Sequence, residues 1–306
     1  MKVLVTGGAG FIGSNLVDEL IAMGHKVYVL DNLSTGRKEN INPKAVFLRC
    51  DVNNGFPNLT ENFDWVFHLA ATVGVKRTLE DPLSVLDDVK GIRNVLEFCR
   101  LTNVSRVIFS SSSEVYGNPV EFPEREDGHV NPQLPYAVVK LYGEKLLEAY
   151  HDMYGLNTTN LRFFNVYGPR QEGSDYGFVV GVFINQVLAG KAPSVYGDGS
   201  NTRDFVFVRD NIRAMLEIVE NDELGGETIN VGNGRPITIS ALAENIIKIA
   251  GKTIKPEFFP DRAYEIRHRF PDISKLRRII NYAPKYDLDD GLRITFDYYK
   301  NMKERE

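Results

Sequence analysis

The feature that most constrains the fold is a short apolar run that meets three evenly spaced glycines near the start of the chain. The segment reads Val3-Leu4-Val5-Thr6-Gly7-Gly8-Ala9-Gly10-Phe11-Ile12-Gly13, and an apolar stripe of helical period follows it. This order predicts a strand, a tight turn and a helix. A glycine at position 7 can adopt the positive φ that a sharp turn needs, and the N–H groups at a helix N-terminus favour phosphate. The segment therefore predicts a dinucleotide-binding site.

The next strand ends in an acid that bears on which dinucleotide binds. Asp31 follows the apolar residues 27–30, close to the separation expected of a carboxylate that binds an adenosine ribose. Its charge would repel a 2′-phosphate, which favours NAD over NADP, although Arg37 and Lys38 nearby keep NADP open. The polar loop that follows is suited to hydrogen bonds with the ribose and the adenine-side phosphate; its candidates are Asn32, Ser34, Thr35 and Gly36.

Two further apolar runs end where a parallel sheet faces its ligand. The first, residues 46–48, leads to Asp51 and Val52. Asp51 is either a ligand of the adenine amine or the cap of a turn, and the sequence leaves both open. The second, residues 65–71, is nearly continuous, as expected for a central parallel strand. It ends at Leu69, Ala70 and Ala71, where the small alanines would let the backbone approach the cofactor.

A fifth strand, residues 107–109, runs into four serines and an acid, Ser110 to Glu114. Hydroxyl groups at the carboxyl end of a strand lie where a substrate is expected. Tyr136 and Lys140 open a later helix, and their spacing of four puts them on one face. An ammonium beside a phenol lowers the pKa of the phenol from about 10, so Tyr136 is predicted to act as a base. The acidic loop 121–127 is predicted to be solvated.

Composition excludes several classes of function. The net charge is −5, from 36 basic and 41 acidic residues, so we expect no nucleic-acid partner. Cys50 and Cys99 form no CxxC pattern and are predicted to be reduced core residues. His68 has no second ligand at metal spacing, so we expect a packed core histidine and no metal. No apolar run is long enough to span a bilayer and no signal-peptide pattern is present, so we expect a cytoplasmic protein without a membrane partner.

Taken together, these motifs resemble the extended short-chain dehydrogenase/reductase family, in its nucleotide-sugar epimerase and dehydratase branch. The resemblance covers essentially the whole chain. Its motifs are TGGAGFIG at 6–13, DNLSTG at 31–36, HLAA at 68–71, SSSSEVYG at 110–117, YAVVK at 136–140, RFFNVYGPRQ at 162–171 and VYGDGSNTRDFVFVRD at 195–210.

The resemblance implies an α/β fold with two domains. The first would be a Rossmann-type, doubly wound parallel sheet that binds NAD, formed by residues 1–167 and 203–231. The second would be a smaller C-terminal α/β domain for the nucleotide sugar, formed by residues 168–202 and 232–306. The family often dimerises through two helices, here residues 82–101 and 136–154, so we expect a homodimer.

The resemblance also assigns residues to the site. It implies a catalytic triad of Ser112, Tyr136 and Lys140. It implies that Arg203 and Arg262 clamp the nucleotide diphosphate, which suits the rigid fork of a guanidinium. The NAD candidates are Gly7, Gly10, Phe11, Ile12, Gly13, Asp31, Asn32, Ser34, Thr35, Gly36, Asp51, Val52, Leu69, Ala70, Ala71, Ser110, Tyr136, Lys140 and Phe163. The nucleotide-sugar candidates are Ser112, Ser113, Glu114, Tyr136, Asn165, Val180, Tyr196, Arg203, Arg262 and Arg269.

From this resemblance we expect a UDP-sugar 4-epimerase of the UDP-glucose/UDP-galactose type. Tyr136 would take the proton of the sugar 4-hydroxyl while C4 gives a hydride to NAD⁺. The resulting 4-keto sugar would turn in the pocket, and the hydride would return to its other face.

Other activities stay open at this stage. In the 4,6-dehydratases of the family an aspartate stands at the position of Ser113, so dehydration is disfavoured. The pair Ser113-Glu114 matches UDP-glucuronate decarboxylases, and Arg269 falls where those enzymes carry an arginine. Against them, residues 177–183 lack the arginine and asparagine that decarboxylases place there. UDP-glucuronate 4-epimerase lies between the two. A catalytically silent NAD-binding regulatory protein is the alternative of another class, which the intact triad disfavours.

Overall fold

The computed structural model of this chain describes residues 1–57, 59, 61–174, 177–261 and 266–304. It divides into two compact units. The first unit comprises Met1–Gly117, Asn131–Phe163 and Ile212–Ile229, and the second comprises Asn118–Val130, Phe164–Asn211 and Asn230–Glu306.

Strands and helices alternate through most of the chain. In order, they are β1 Lys2–Thr6, α1 Phe11–Ala22, β2 Lys26–Asp31, β3 Val46–Arg49, β4 Trp65–His68, α2 Val75–Glu80, α3 Pro82–Leu86, α4 Asp88–Leu101, β5 Arg106–Ser112, α5 Pro135–Tyr154, β6 Thr158–Phe163, β7 Val166–Tyr167, α6 Val179–Leu188, β8 Ser194–Tyr196, β9 Thr202–Asp204, β10 Val206–Phe207, α7 Val208–Val219, β11 Glu227–Val231, β12 Pro236–Thr238, α8 Ile239–Ile249, β13 Glu257–Phe259, β14 His268–Arg269, α9 Ser274–Ile280 and α10 Leu288–Lys303.

The main sheet confirms the predicted doubly wound architecture. Among the described residues it has seven strands in the order β11-β6-β5-β4-β1-β2-β3. The pairs that β1 makes with β2 and β4 are parallel, and the pairs β2–β3, β4–β5 and β5–β6 are parallel too. The chain moves outward from β1 in one direction and then from β4 in the other. In open α/β sheets, such a reversal marks the crevice where ligands bind.

Burial of both sheet faces explains why these strands read as apolar runs rather than as an alternating pattern. Val3, Leu4 and Val5 of β1 are fully buried, and Val66 and Phe67 of β4 are fully buried as well. The helix predicted to begin at Pro82 is divided into α3 and α4, with the break at Asp87. Within residues 177–183, helix α6 begins at Val179.

The second unit is an α/β assembly of small sheets. Strand β9 pairs antiparallel with β12 and parallel with β14, while β8 pairs with β13 and β7 with β10. Helices α6, α8 and α10 pack on one another. Residues 118–130 and 203–211 belong to this unit, whereas the sequence analysis put them in the first domain. These residues belong to the second unit because their backbone pairs with strands there: Glu124 forms a parallel bridge with Pro271, and β9 joins the sheet of β12 and β14.

Two features are absent from the described residues: a membrane-spanning helix and a metal-binding cluster. No helix there is both long and apolar enough to cross a bilayer. The same part of the chain contains no cluster of histidine, cysteine and acidic side chains that could hold a metal ion.

Candidate active site

The glycine turn after β1 has the geometry of a phosphate-binding turn. Gly7 has a φ of 73°, and its N–H donates to the Leu30 carbonyl at 2.8 Å. A Cβ at Gly13 would overlap the Gly7 carbonyl oxygen, whereas a Cβ at Gly10 would meet only that oxygen, at 3.2 Å. Helix α1 has no side-chain cap and no acid in its first turn. The space in front of its N-terminus therefore suits an anion, and the predicted Phe11 and Ile12 form that first turn.

Asp31 ties this turn to the loop that follows β2. One carboxylate oxygen accepts from the Ala9 N–H at 3.0 Å and the other from the Leu33 N–H at 2.8 Å. Asn32 in turn accepts from the Ser34 N–H at 2.9 Å. A Cβ at Gly36 would lie 2.8 Å from the Asp31 carboxylate, which shows how closely this loop is folded over Asp31. A dinucleotide with its pyrophosphate on α1 would meet the Asp31 carboxylate on its ribose side.

The loops after β3 and β4 are joined by a residue that the sequence analysis missed. Asp51 caps the turn Val52–Asn54 by accepting from the Asn53 N–H at 2.9 Å. The side chain of Asn53 donates to Asp88 at 3.1 Å, and the Thr72 N–H donates to the same carboxylate at 2.6 Å. Asp88 is the first residue of α4. An acidic side chain is common in the first turn of a helix, so nothing in the sequence singled it out. Burial raises the pKa of Asp88, against the opposing effect of these hydrogen bonds.

The predicted triad is brought together at the carboxyl end of β5. Ser112 ends β5 and Tyr136 lies in the first turn of α5, and the Ser112 hydroxyl is close enough to lower the pKa of Tyr136. The Lys140 ammonium donates to the Ser110 carbonyl at 2.6 Å and lies 5.5 Å from the centre of the Tyr136 ring. Phe163 pairs with Ser112 across β5 and β6. This arrangement sets a phenol and a hydroxyl side by side, with a buried cation behind them.

The expectation that Lys140 lowers the pKa of Tyr136 is wrong for this structure. Burial raises the pKa of the Tyr136 hydroxyl above its usual range; the hydrogen bond to Ser112 lowers it, and the Glu114 carboxylate raises it again. The Lys140 ammonium donates to the Ser110 carbonyl. Burial also lowers the pKa of Lys140 to about 8, while the Asp88 and Glu144 carboxylates oppose that shift.

The remaining strand-end candidates surround the same edge of the sheet. The Leu69 N–H donates to the Thr6 carbonyl at 3.1 Å, and the Ala70 N–H donates to the Thr6 hydroxyl at 3.3 Å. A Cβ at Gly7 would come within 2.6 Å of the Ala70 nitrogen, so the glycine turn and this loop are in close contact. His68 is the packed core histidine that was expected, since its Nδ1 lies 2.7 Å from the Thr6 hydroxyl.

Most nucleotide-sugar candidates lie in the second unit. Asn165 donates to the Asp204 carbonyl at 2.9 Å, and Arg203 donates to the Thr202 carbonyl at 2.9 Å. Val180 is buried in α6, and the ring of Tyr196 lies 5.7 Å from that of Phe259. Arg262 lies outside the described residues. The substrate roles of these side chains stay predictions.

The prediction that the acidic loop 121–127 is solvated is wrong for Glu124, which is buried. Glu124 is 3% exposed, and its carboxylate forms an ion pair with the buried Arg269 at 3.7 Å. The Glu124 N–H donates to the Phe270 carbonyl at 3.0 Å, and the Asp272 N–H donates to the Glu124 carbonyl at 2.8 Å. Because this partner is far away in the sequence, composition alone could not reveal the burial of Glu124.

Together, the doubly wound sheet, the glycine turn and the Ser112–Tyr136–Lys140 cluster define an enzyme of the extended short-chain dehydrogenase/reductase class. The family model "NAD dependent epimerase/dehydratase family" matches residues 3–232. The chain therefore belongs to the NAD dependent epimerase/dehydratase family, and NAD is the cofactor of that family.

Curated proteins and solved structures agree with this assignment. UDP-glucose 4-epimerase of Mycolicibacterium smegmatis is 38% identical, over 99% of this chain and 100% of that protein. UDP-glucuronic acid decarboxylase 1 of Arabidopsis thaliana is 37% identical, over 97% of this chain and 70% of that protein. The structure of UDP-glucose 4-epimerase from Thermotoga maritima with UDP-glucose superposes with a TM-score of 0.94, at 35% identity, over 99% of this chain and 100% of that chain.

Proposed function

We propose that this protein is an NAD-dependent UDP-sugar 4-epimerase that interconverts UDP-glucose and UDP-galactose. The observation that carries the proposal is the cluster at the carboxyl end of β5, where the buried Lys140 ammonium lies 5.5 Å from the centre of the Tyr136 ring and Ser112 lowers the pKa of Tyr136. The full-length likeness to epimerases of Mycolicibacterium smegmatis and Thermotoga maritima supports UDP-glucose as substrate.

The residues present fit NAD. The side-chain-free turn at Gly7, Gly10 and Gly13 and the uncapped start of α1 would hold the pyrophosphate. Asp31 would bind the adenosine ribose through carboxylate oxygens that already anchor the turn. Bound NAD⁺ supplies a hydride acceptor for C4 and a positive charge that favours the phenolate.

Tyr136 takes the proton of the sugar 4-hydroxyl and later returns it. The epimerisation requires the 4-keto sugar to present its opposite face, so one base serves both directions. Ser112 donates a hydrogen bond to the sugar 4-oxygen and orients the Tyr136 hydroxyl. Lys140, which donates to the Ser110 carbonyl, would hold the nicotinamide ribose. A phenol with a raised pKa stays protonated near neutral pH and cannot accept a proton until a nearby cation offsets its burial, which confines proton abstraction to the loaded site.

UDP-glucuronate is the second candidate substrate, for decarboxylation or 4-epimerisation. The likeness to the Arabidopsis thaliana decarboxylase and the pair Ser113-Glu114 favour it. The environment of Arg269 weighs against it. The guanidinium is 2% exposed and its charge is balanced by Glu124 at 3.7 Å. A uronate carboxylate would have to displace that internal partner, so a neutral hexose suits this chain better.

The two substrates are separated by incubating the purified protein with UDP-glucose or UDP-glucuronate and analysing the products by NMR and mass spectrometry. We expect UDP-galactose from UDP-glucose, without change of mass. Loss of carbon dioxide from UDP-glucuronate, with no epimerisation of UDP-glucose, would overturn the proposal.

The role of Tyr136 is tested by Tyr136→Phe, which keeps the ring and removes the hydroxyl. We expect kcat to fall by about 10²- to 10⁴-fold, because proton transfer loses its base. The matched control is Tyr154→Phe on the same helix, where Tyr154 is exposed. Equal activity of both variants would show that Tyr136 is not the base.

The proposal includes a homodimer and a cytoplasmic location. Exposed apolar side chains on adjoining helices of the first unit support the dimer: Leu79, Leu83, Leu86, Val138 and Tyr142. Helix α3 packs against both α2 and α5, so these side chains belong to neighbouring elements. Both cysteines are free thiols, as is usual in a reducing compartment.

A further inference from the structure

A buried polar cluster lies next to the triad in the first unit and has no part in the chemistry proposed above. Its members are Ser111 on β5, Glu144 on α5, Arg162 on β6 and Tyr116, which ends the turn Ser113–Tyr116 after β5. All four residues are buried. We name this group the Glu144–Arg162 cluster.

Its centre is a two-pronged ion pair. Arg162 donates from Nε to one oxygen of Glu144 at 2.9 Å and from Nη2 to the other at 2.8 Å. The Glu144 side chain is fully buried and that of Arg162 is 5% exposed. Burial alone would lower the pKa of Arg162, but the hydrogen bonds to Glu144 raise it, so the arginine stays charged. Such a paired fork fixes the direction of both side chains.

Two further contacts connect the pair to the end of β5. The Ser111 hydroxyl donates to the Glu144 carboxylate. On the other side, Arg162 donates from Nη1 to the Tyr116 hydroxyl at 2.9 Å, and its guanidinium lies 4.8 Å from the centre of the Tyr116 ring. Ser111 and Tyr116 lie before and after Ser112 in the chain. The cluster therefore holds the backbone on both sides of the catalytic serine.

The same cluster sets the position of α5. Tyr136, Lys140 and Glu144 are four residues apart, so they lie along one face of the helix. Three consecutive serines of β5 act on these residues: the Ser110 carbonyl accepts from Lys140, the Ser111 hydroxyl donates to Glu144, and Ser112 lowers the pKa of Tyr136. Arg162 pairs with Ser111 in the strand register, which places the guanidinium beside the middle contact.

We propose that Glu144 and Arg162 are positioning residues for the Ser112–Tyr136 pair, a role that rests on the proposed epimerase function. They fix the axial position and the rotation of α5 against β5, so that the Tyr136 and Ser112 hydroxyls can both hydrogen-bond to one sugar oxygen. Stability alone gives little reason for the pair, because apolar side chains of similar volume often replace a buried ion pair without loss. The geometry of catalysis does give a reason to keep the ion pair, since a small misplacement of reacting groups slows a reaction strongly.

The test replaces both partners, Glu144→Met with Arg162→Met, so that no buried charge is left unpaired. We expect a folded protein whose kcat is lower by about 10- to 100-fold and whose KM changes by less than about threefold. Arg106→Met is the matched control, because Arg106 is a fully buried arginine at the other end of β5 that donates to the Ile218 carbonyl at 3.1 Å. We expect that control to lose thermal stability and keep kcat.

A milder variant tests the cluster if the double variant does not fold. Tyr116→Phe keeps the ring against Arg162 and removes only the hydroxyl. We expect its kcat to fall several-fold at an unchanged KM. A further double variant, Glu144→Gln with Arg162→Gln, keeps hydrogen-bonding groups at both positions without charge, and we expect it to recover part of the kcat that the methionine pair loses.

A spectroscopic measurement separates this inference from the proposed function. With ¹³C-labelled tyrosine, the Tyr136 ring signal is assigned by its loss in Tyr136→Phe. We expect that signal to move in the methionine double variant and to stay in place in Arg106→Met. A wild-type protein that turns over no nucleotide sugar would defeat the proposed function alone. A folded double variant, or Tyr116→Phe in its place, with wild-type kcat and an unmoved Tyr136 signal would defeat the positioning role.

Discussion

At the scale of single residues, burial controls which groups can carry a charge in the first unit. His68 is 2% exposed in β4 between Thr6 and Phe109. Burial lowers its pKa to about 3, and the Lys140 charge acts in the same direction. His68 therefore stays neutral in the folded protein at pH values well above 3, although an exposed histidine has a pKa of about 6.5.

A dependence of stability on pH follows from this shift. Between about pH 6.5 and 3 the unfolded chain protonates position 68 and the folded chain does not, so acid favours unfolding. We expect the free energy of unfolding to fall by about 2 to 3 kcal/mol more in the wild type than in His68→Asn when the pH drops from about 7.5 to 4.5. Urea unfolding at both pH values measures the difference. Equal losses in the two proteins would mean that His68 takes up a proton while folded.

At the same scale, we expect Asp31 to select between NAD and NADP. Its carboxylate accepts from the Ala9 and Leu33 N–H groups and would repel a 2′-phosphate. We expect Asp31→Asn to weaken NAD binding by about tenfold and to raise the affinity for NADP relative to NAD. Titration calorimetry of the cofactor-free protein measures both affinities. Asp51→Asn at the next strand end is the control, for which we expect an unchanged ratio of the two affinities.

At the scale of elements, the glycine turn contains two glycines with different reasons for being there. A Cβ at Gly13 would overlap the Gly7 carbonyl oxygen, so Gly13→Ala must push α1 away from the turn. Gly10 has a φ of −77°, which any residue can adopt, and a Cβ there meets only one atom of the protein. Gly13 is therefore required by the fold. Gly10 is required only if a ligand fills the space in front of the helix.

We expect the two substitutions to separate stability from cofactor binding. Gly13→Ala lowers the free energy of unfolding by about 1 to 3 kcal/mol, because the overlap outweighs the better helix propensity of alanine. Gly10→Ala keeps the stability and weakens NAD binding by at least about tenfold, because its methyl group occupies the pyrophosphate position. Thermal unfolding and titration calorimetry give the two quantities. Normal NAD affinity in Gly10→Ala would contradict a pyrophosphate at this turn.

The elements also show how far a sequence can be interpreted. The apolar runs of β1, β4 and β5 were predictable, because strands buried on both faces show no alternation. The glycine turn and the spacing of Tyr136 and Lys140 were predictable as local patterns. The partners of Glu124 and Glu144 were not, since each acid pairs with an arginine on another element. The raised pKa of Tyr136 was not predictable from spacing either: Lys140 lies on the same helix face, but burial raises that pKa.

At the scale of the whole molecule, the first unit exposes a group of apolar side chains, and their burial against another protein surface would be favourable. Leu83 of α3 is 74% exposed, and Leu79, Leu86, Val138 and Tyr142 are exposed on the same and adjoining helices. A scattered exposed leucine is ordinary, but a group on packed neighbouring helices is typical of an interface. A second copy of this chain can bury the group by a twofold contact, in which each copy contributes the same surface.

We expect the wild-type protein to elute at twice its mass of 34.5 kDa in size-exclusion chromatography with light scattering. Leu83→Glu places a charge at the most exposed of these five side chains on both copies, so we expect it to shift the protein to the monomer at micromolar concentration. Val120→Glu is the control, because Val120 is 80% exposed but belongs to the second unit. A wild-type monomer, or a dimer that dissociates with Val120→Glu and persists with Leu83→Glu, would show that this face is not the interface.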